Sequence, residues 1–272
     1  MSPALEALKG VAPVGADAVL GRYHRDRVCL KGFAFEARVY MKNAFIKGRS
    51  GPKFLILCRA RSGSTLLCRL LNQVPDIHCE LEVLHHNVAF PRFFAHQLAR
   101  KRKSRVYGFK ILSYQMVLVQ ALKSPEDFFD SLYEDGFRFI HLTRNSLDQG
   151  ISICSASSTG VYFKDRHGQR IDQVKIDPHE FVKRVRWNLA LLKFEKSVLQ
   201  NIPHEKVLYE QDLTNSDDHQ KVIDRISKWL GVESGCVIAP MERTLPESLE
   251  DRILNFKEVK EVAVDNGLEE IF

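Results

Sequence analysis

Short apolar runs alternate with longer amphipathic segments along most of this chain. Residues 54–58 are apolar at consecutive positions, as in a strand buried on both faces, whereas residues 178–199 repeat apolar side chains at helical spacing. The predicted strands are 53–58, 106–112, 137–142 and 206–209. The predicted helices are 65–73, 83–99, 125–134, one from about 147, 178–199 and 217–230. Short strands separated by helices predict an α/β fold, with a central parallel sheet flanked by helices.

The first 50 residues differ in pattern from the rest of the chain. Residues 1–21 carry only a weak apolar pattern, and residues 22–50 are basic and aromatic, with helical spacing near Phe35, Val39 and Phe45. No internal repeat and no low-complexity linker interrupts the remaining residues. We therefore predict an N-terminal extension at 1–50, basic and partly helical, and a single α/β domain at 51–272.

Composition sets limits on the class of protein. A chain of 272 residues with 44% hydrophobic content is long enough to bury a full core, and its formal charge of +6 suits anionic ligands. No run approaches the roughly 18 apolar residues that a membrane span requires. The six cysteines lack paired spacing, and the N-terminus lacks the pattern of a secretory leader. These features predict a cytoplasmic protein without a membrane span.

The segment after the first strand carries the main functional signal. Arg61, Ser62, Gly63, Ser64 and Thr65 form a small hydroxyl-rich turn that opens a helix. Such a turn directs backbone N–H groups, a helix N-terminus and hydroxyls to one point, which is suited to a phosphate-like anion. A nucleoside-triphosphate P-loop has Gly-Lys-Ser/Thr at this place, whereas Ser64 follows Gly63 here. The turn therefore predicts an anionic nucleotide other than ATP.

A second candidate anion site lies beyond the strand at 137–142. Arg144 is just past the strand end, and Ser152 comes eight residues later on the next helix. Ligands of parallel α/β sheets bind at the carboxyl ends of the strands, so both sites can face one ligand. Two anion sites indicate a nucleotide with phosphates at both ends. An alternative for Arg144 is an ion pair with Asp148.

At these residues the sequence resembles the sulfotransferases that use 3′-phosphoadenosine 5′-phosphosulfate (PAPS), over about residues 53–260. The turn at 61–65 is similar to the family's 5′-phosphosulfate loop, and Arg144 and Ser152 are similar to its 3′-phosphate ligands. Further segments stand in the family's order: Gly108-Phe109-Lys110, Tyr209-Glu210, and Asn255 with Glu258-Val259. The resemblance is greatest to bacterial carbohydrate sulfotransferases, such as those acting on nodulation factors or trehalose. It implies a P-loop-like nucleotide-binding architecture.

The resemblance also implies roles in catalysis. Arg61 would stabilise the leaving phosphate, and Lys110 would place a second cation at the bridging oxygen. Leu112 stands where the cytosolic members have a histidine base, whereas Glu82 matches the glutamate base of the bacterial type. Glu80 becomes the base if the register shifts by two residues. Alternatively, Glu82 is an acid at a helix N-terminus and Lys110 a solvated strand-end lysine.

The remaining signals are less specific. The resemblance implies that Tyr209 contacts adenine, although a tyrosine at a strand end is as often a core residue. Arg243 and Lys257 could close over the 3′-phosphate, and Trp187 could join the core or border the acceptor site. The His and Cys residues at 78, 79, 85 and 86 fit no standard zinc spacing, so we expect no metal. The basic run at 100–105 could bind nucleic acid but is more often a solvated loop.

The sequence therefore predicts a PAPS-dependent sulfotransferase, with PAPS as co-substrate and a carbohydrate or related small-molecule acceptor. Neither nucleic acid nor a metal is expected as a partner. The first alternative is a P-loop-type kinase, which the missing P-loop lysine disfavours. The second is a non-catalytic module that binds polyanions through its basic surface.

Overall fold

The computed structural model describes residue 8 and residues 30–43, 51–100, 104–120, 122–159, 173–238 and 252–272. Within this part of the chain five parallel strands form a sheet in the order β2-β3-β1-β4-β5. The strands are β1 (Lys53–Cys58), β2 (Ile77–Glu82), β3 (Val106–Leu112), β4 (Phe137–Thr143) and β5 (His204–Leu208). The predicted α/β fold with a central parallel sheet is confirmed.

Helices cover both faces of this sheet. They are α1 (Leu30–Asn43), α2 (Ser64–Leu71), α3 (Pro91–Arg100), α4 (Pro125–Glu134), α5 (Ser146–Thr159), α6 (Pro178–Val198), α7 (Ser216–Leu230) and α8 (Phe256–Asp265). Two π-helical turns, Gln115–Val119 and Tyr209–Leu213, come after β3 and β5. No helix in the described residues is long and apolar enough to cross a membrane.

Strand β1 shows why the sheet is covered on both sides. Its side chains alternate between two hydrophobic clusters: Leu55 and Leu57 belong to one, and Phe54 and Ile56 to the other. The first cluster includes residues of α3, α4 and α6, and the second includes residues of α2 and α7. Strand β1 is therefore central and pairs with β3 on one side and β4 on the other.

The pairing register places the segments of the candidate site at one edge of the sheet. Cys58, the last residue of β1, is paired with Leu112 of β3 and with Leu142 of β4. Because the strands are parallel and end level with one another, the segments after them meet at the carboxyl edge. This edge carries the turn at 59–63, the π-helical turn after β3 and the start of α5.

The sequence prediction missed a strand at residues 77–82 and was wrong at residues 83–90. It placed a helix over 83–99, whereas the structure has strand β2 at Ile77–Glu82 and begins α3 at Pro91. The strand alternates buried and partly exposed residues as far as Glu80, which is the ordinary signal of a strand. Proline is favoured at the first position of a helix, which explains where α3 begins.

Helix α1 lies in the predicted N-terminal extension and packs against α3. The Glu36 carboxylate accepts hydrogen bonds from the backbone N–H groups of Ala89 (2.9 Å) and Phe90 (3.1 Å). Asn43 donates to the backbone carbonyl of Gln97 at 2.6 Å. These contacts join α1 to the segment before α3 and to α3 itself. The division of the chain at residue 50 stays a prediction.

Candidate functional site

The turn between β1 and α2 forms the centre of the candidate site. Arg61 and Gly63 both have left-handed backbone conformations, with φ values of 63° and 88°. A Cβ atom on Gly63 would lie 2.5 Å from Cδ2 of Tyr209, so glycine is required for space as well as for conformation. Arg61 adopts a conformation that is uncommon for a residue with a side chain. The strain is typical of a turn that is held in shape by its surroundings.

Lys110 meets the start of α2 from the neighbouring strand. Its Nζ lies 3.1 Å from Thr65 Oγ1, 3.4 Å from Ser64 Oγ and 3.1 Å from Glu82 Oε1. Lys110 is 4% exposed, so the alternative of a solvated strand-end lysine is wrong. A cation, two hydroxyls and a carboxylate therefore converge at the N-terminal end of this helix, where the helix dipole is positive.

Glu82 and Glu80 have different surroundings. A β-bulge shifts the register between them, so Glu80 is paired with Phe109 and Glu82 with Lys110. Neighbouring residues of a strand face opposite sides of the sheet, and the bulge therefore separates the two carboxylates. Glu80 accepts a hydrogen bond from the Tyr107 hydroxyl at 3.0 Å, whereas Glu82 contacts Lys110. Since Glu82 ends a strand, the alternative of a helix N-terminal acid is wrong.

Gln115 is a site residue that the sequence analysis missed. Its Nε2 donates to Glu82 Oε2 at 3.0 Å, and its own Oε1 accepts from the backbone N–H of Leu112 at 3.1 Å. Each oxygen of the Glu82 carboxylate thus has a separate partner, Lys110 for one and Gln115 for the other. Gln115 begins the apolar run at 115–119, but the sequence does not show its partner, Glu82, which lies 33 residues earlier.

Arg144 approaches the turn from the β4 side. Its Nη1 donates to the backbone carbonyl of Arg61 at 2.9 Å, and its guanidinium carbon lies 4.2 Å from the centre of the Tyr209 ring. Asp148, the alternative partner of Arg144, forms an ion pair with Arg252. Ser152 Oγ accepts a hydrogen bond from Arg61 Nε at 3.1 Å. The structure therefore brings the two predicted anion sites together at one turn.

The segment after β5 holds Tyr209 against this turn. Glu210 Oε1 accepts a hydrogen bond from the backbone N–H of Asn145 at 2.9 Å, which joins the segment to the end of β4. The Asp212 carboxylate accepts hydrogen bonds from the backbone N–H of Leu208 (2.8 Å) and from the two Nη atoms of Arg225 (3.1 Å and 3.2 Å). Tyr209 is half-buried, with its ring between Gly63 and Arg144. The ring is thus positioned by contacts on several elements.

Thiol chemistry at the turn is disfavoured. Cys58 ends β1 and is fully buried below the turn, where burial raises the pKa of its thiol to about 12. A thiol with such a pKa is protonated at neutral pH and is a poor nucleophile.

Burial, and to a lesser degree the neighbouring His85, lowers the pKa of His86 from its ordinary value. His86 is therefore neutral at pH 7.

Other residues that the sequence analysis considered lie elsewhere. Trp187 is buried in the cluster beneath α3, α4 and α6. Lys257 is exposed on α8, and Arg243 lies outside the described residues, as do residues 101–103 of the basic run. Within the described residues, no group of three or more His, Cys, Asp or Glu side chains is arranged to hold a metal ion.

Comparison with known proteins found similar solved structures but no similar protein family or curated protein. No protein-family model matches the chain, and no curated protein is significantly similar to it. Three similar solved structures are a sulfotransferase domain from the Synechococcus PCC 7002 olefin synthase, mouse sulfotransferase SULT7A1 complexed with PAP, and sulfotransferase STF9 from Mycobacterium avium.

These neighbours are distant from the chain in sequence. The olefin synthase domain is 15% identical, with a TM-score of 0.46 over 69% of this chain and 76% of that one. SULT7A1 is 13% identical, with a TM-score of 0.42 over 73% and 64%. STF9 is 10% identical, with a TM-score of 0.47 over 85% and 80%. We therefore infer the reaction from the side chains of this chain.

Proposed function

We propose that this protein transfers a sulfuryl group from PAPS to a hydroxyl of a carbohydrate or related small molecule. The observation that carries the proposal is the contact of Lys110 with Ser64, Thr65 and Glu82 at the start of α2. The ammonium group of Lys110 is a buried cation, the two hydroxyls stand at a helix N-terminus suited to an anion, and the Glu82 carboxylate is a candidate base. This combination supports sulfuryl transfer, which is helped by a cation, an anion site and a base close together.

The donor side of the reaction needs charge stabilisation. In sulfuryl transfer the S–O bond to the bridging oxygen breaks, and negative charge grows on the departing 5′-phosphate. By analogy with phosphoryl transfer, the protein mainly aligns the groups and neutralises this charge. Arg61 and the N–H groups of residues 62–65 would stabilise the phosphate and the sulfuryl oxygens, and Lys110 the bridging oxygen. The leaving product is adenosine 3′,5′-bisphosphate.

The acceptor side of the reaction needs a base. An alcohol has a high pKa, and proton removal by a positioned carboxylate typically accelerates attack by about 10²–10⁴-fold. Glu82 would take the proton as the acceptor oxygen forms its new bond to sulfur. The contacts with Lys110 and Gln115 favour Glu82 over Glu80, because they hold its carboxylate next to the turn.

The 3′-phosphate would be held on the β4 side of the turn. Arg144 supplies a guanidinium group there, and Ser152 supplies a hydroxyl that lies beside Arg61. Tyr209 offers a half-buried ring for contact with the adenine base. The closeness of Arg61 and Arg144 supports a ligand with more than one anionic group, because both guanidinium groups attract negative charge to the same turn.

A nucleotide-protection experiment separates this proposal from its alternatives. Melting temperature is measured with adenosine 3′,5′-bisphosphate in the absence of Mg²⁺, with Mg·ATP, and with a polyanion such as heparin. We expect saturable stabilisation by the bisphosphate alone. Preference for Mg·ATP would favour a kinase. Salt-sensitive polyanion binding without a saturable nucleotide site would favour a binding module.

A further inference from the structure

A fully buried arginine lies directly beneath the turn. Arg59 is 0% exposed, and its Nη2 donates to the backbone carbonyl of Arg144 at 3.0 Å. Its Nη1 reaches Ser146 Oγ at 3.3 Å and the backbone carbonyl of Asn188 at 3.4 Å. A single guanidinium group thus joins the end of β1 to the end of β4, the start of α5 and the middle of α6.

The charge of Arg59 is balanced by an equally buried carboxylate. Glu195 of α6 is 0% exposed, and its Oε2 lies 3.6 Å from Arg59 Nε and 3.0 Å from His141 Nε2. Its Oε1 is hydrogen-bonded to the hydroxyl of Ser113. Ser113 Oγ also lies 3.1 Å from the carbonyl of Cys58. The network therefore reaches the ends of β1, β3 and β4 from a single position on α6.

The location of this network relates it to both predicted anion sites. Arg59 is two residues before Arg61 in the chain and binds the carbonyl of Arg144, so it links the two segments that carry the arginines of the candidate site. A guanidinium group has a rigid fork of donors that can hold several acceptors at fixed distances. Burying such a charge costs desolvation free energy, and the attraction within a buried ion pair often fails to exceed that cost. A role in fixing geometry accounts for its position.

We propose that Arg59 is a positioning residue that sets the spacing between the turn and Arg144, so that the site prefers a nucleotide with phosphates at both ends. The proposal rests on the proposed function. Because Arg59 is completely buried, it acts through the backbone of residues 59–61 and Arg144 rather than through ligand contact. Loss of the Arg59 guanidinium group should therefore weaken binding of a doubly phosphorylated nucleotide more than binding of a singly phosphorylated one.

The test is the affinity ratio between adenosine 3′,5′-bisphosphate and 5′-AMP, measured by titration calorimetry on the full chain. We expect the wild type to prefer the bisphosphate. In Arg59→Lys the affinity ratio should be about tenfold smaller, which is the effect expected from losing one charge-assisted hydrogen bond. An unchanged ratio in Arg59→Lys, whether both affinities stay the same or fall equally, would overturn the positioning role alone. No preference in the wild type would overturn the proposed function as well.

Two further variants separate the positioning role from a general loss of folding. Ser146→Ala removes one hydrogen-bond partner of Arg59 but leaves every charged residue in place. We expect the affinity ratio of this variant to fall by about 2- to 3-fold. Ile226→Ala opens a cavity in α7, in the cluster that contains α2, and should lower the melting temperature with an unchanged ratio. An unchanged ratio in Ser146→Ala, or a fall in Ile226→Ala that equals that of Arg59→Lys, would contradict the proposal.

Discussion

The two sides of the turn at 59–63 carry different chemistry. On the β4 side, Arg144 and Ser152 contact Arg61, and the aromatic ring of Tyr209 packs beside them. On the β3 side, Lys110 is joined to the carboxylate of Glu82, which Gln115 also holds. Both sides are reached from the same central strand, β1, and both lie at the carboxyl ends of its neighbours.

This difference indicates a division of labour under the proposed function. Phosphate groups are attracted to the arginines of the β4 side and repelled by a carboxylate, so the nucleotide's 3′ end belongs on the β4 side. The carboxylate of the β3 side can accept a proton, which suits the acceptor hydroxyl. Changes on the β4 side should therefore alter nucleotide affinity, and changes on the β3 side should alter turnover.

The largest expected effect is that of Glu82→Gln. Loss of the proposed base should lower kcat by about 10²–10⁴-fold. The dissociation constant of adenosine 3′,5′-bisphosphate should stay near the wild-type value, because the amide keeps the volume of the carboxylate. Steady-state kinetics and calorimetry on the same preparation measure both quantities.

Glu80→Gln provides the matched control for that variant. It makes the same chemical change two residues away, at a carboxylate that contacts Tyr107 rather than Lys110. We expect normal kcat. If Glu80→Gln lost turnover while Glu82→Gln kept it, the assignment of the base would be reversed.

Arg144→Met should mainly affect binding. We expect the affinity for adenosine 3′,5′-bisphosphate to fall by about 10- to 100-fold, the range expected when a charged hydrogen-bond partner is lost. At saturating donor, kcat should change much less. A collapse of kcat with unchanged nucleotide affinity would contradict the division of labour between the two sides.

Gln115→Leu tests the support of the proposed base. The variant removes the donor to Glu82 Oε2 but keeps the Lys110 contact, so kcat should fall by roughly 3- to 10-fold. Because Gln115 lies on the β3 side, nucleotide affinity should not change. An effect on nucleotide affinity alone would place Gln115 outside the acceptor side.

The smallest expected effect concerns a carboxylate at the other end of the sheet. Hydrogen bonds from Arg92, and secondarily from His96, hold the pKa of Asp135 well below its ordinary value. A lowered folded-state pKa contributes stability above the unfolded pKa of about 3.9 and loses it as the pH falls further. Asp135→Asn should therefore cost about 0.5–1 kcal/mol at pH 7, a discounted value because the group is partly exposed.

Urea unfolding at a series of pH values checks this prediction. The difference between wild type and Asp135→Asn should shrink steadily below about pH 4. Nucleotide affinity and kcat should stay unchanged, because Asp135 precedes β4 at the edge opposite the turn. A difference that grew on acidification would mean that the carboxylate is not stabilised in its charged form.

Patterns local in sequence predicted much of this structure. The apolar run of β1 and the hydroxyl-rich turn after it are contiguous, so their form is determined within a single stretch of the chain. The same holds for α6, which starts where Asp177 caps the N–H groups of His179 (2.9 Å) and Glu180 (3.1 Å). Such elements depend on near neighbours in the sequence.

Features that depend on distant partners were missed. The bulge in β2 is defined by its pairing with β3, and the role of Gln115 by a carboxylate 33 residues earlier. The sequence analysis did not single out Arg59, because its partners lie as far away as Glu195. A one-residue shift of register reverses the face of a strand, and local sequence does not determine that shift.

Sulfuryl transfer itself is the most direct test of the account. Wild type, Glu82→Gln and Glu80→Gln are incubated with PAPS and a panel of hydroxyl-bearing carbohydrates and small metabolites, and products are read by mass. We predict that wild type and Glu80→Gln add one sulfuryl group to an acceptor and release adenosine 3′,5′-bisphosphate, while Glu82→Gln does so very slowly. Equal product formation by all three proteins would contradict the proposed base. Failure of the wild type to bind or consume PAPS would contradict the function itself.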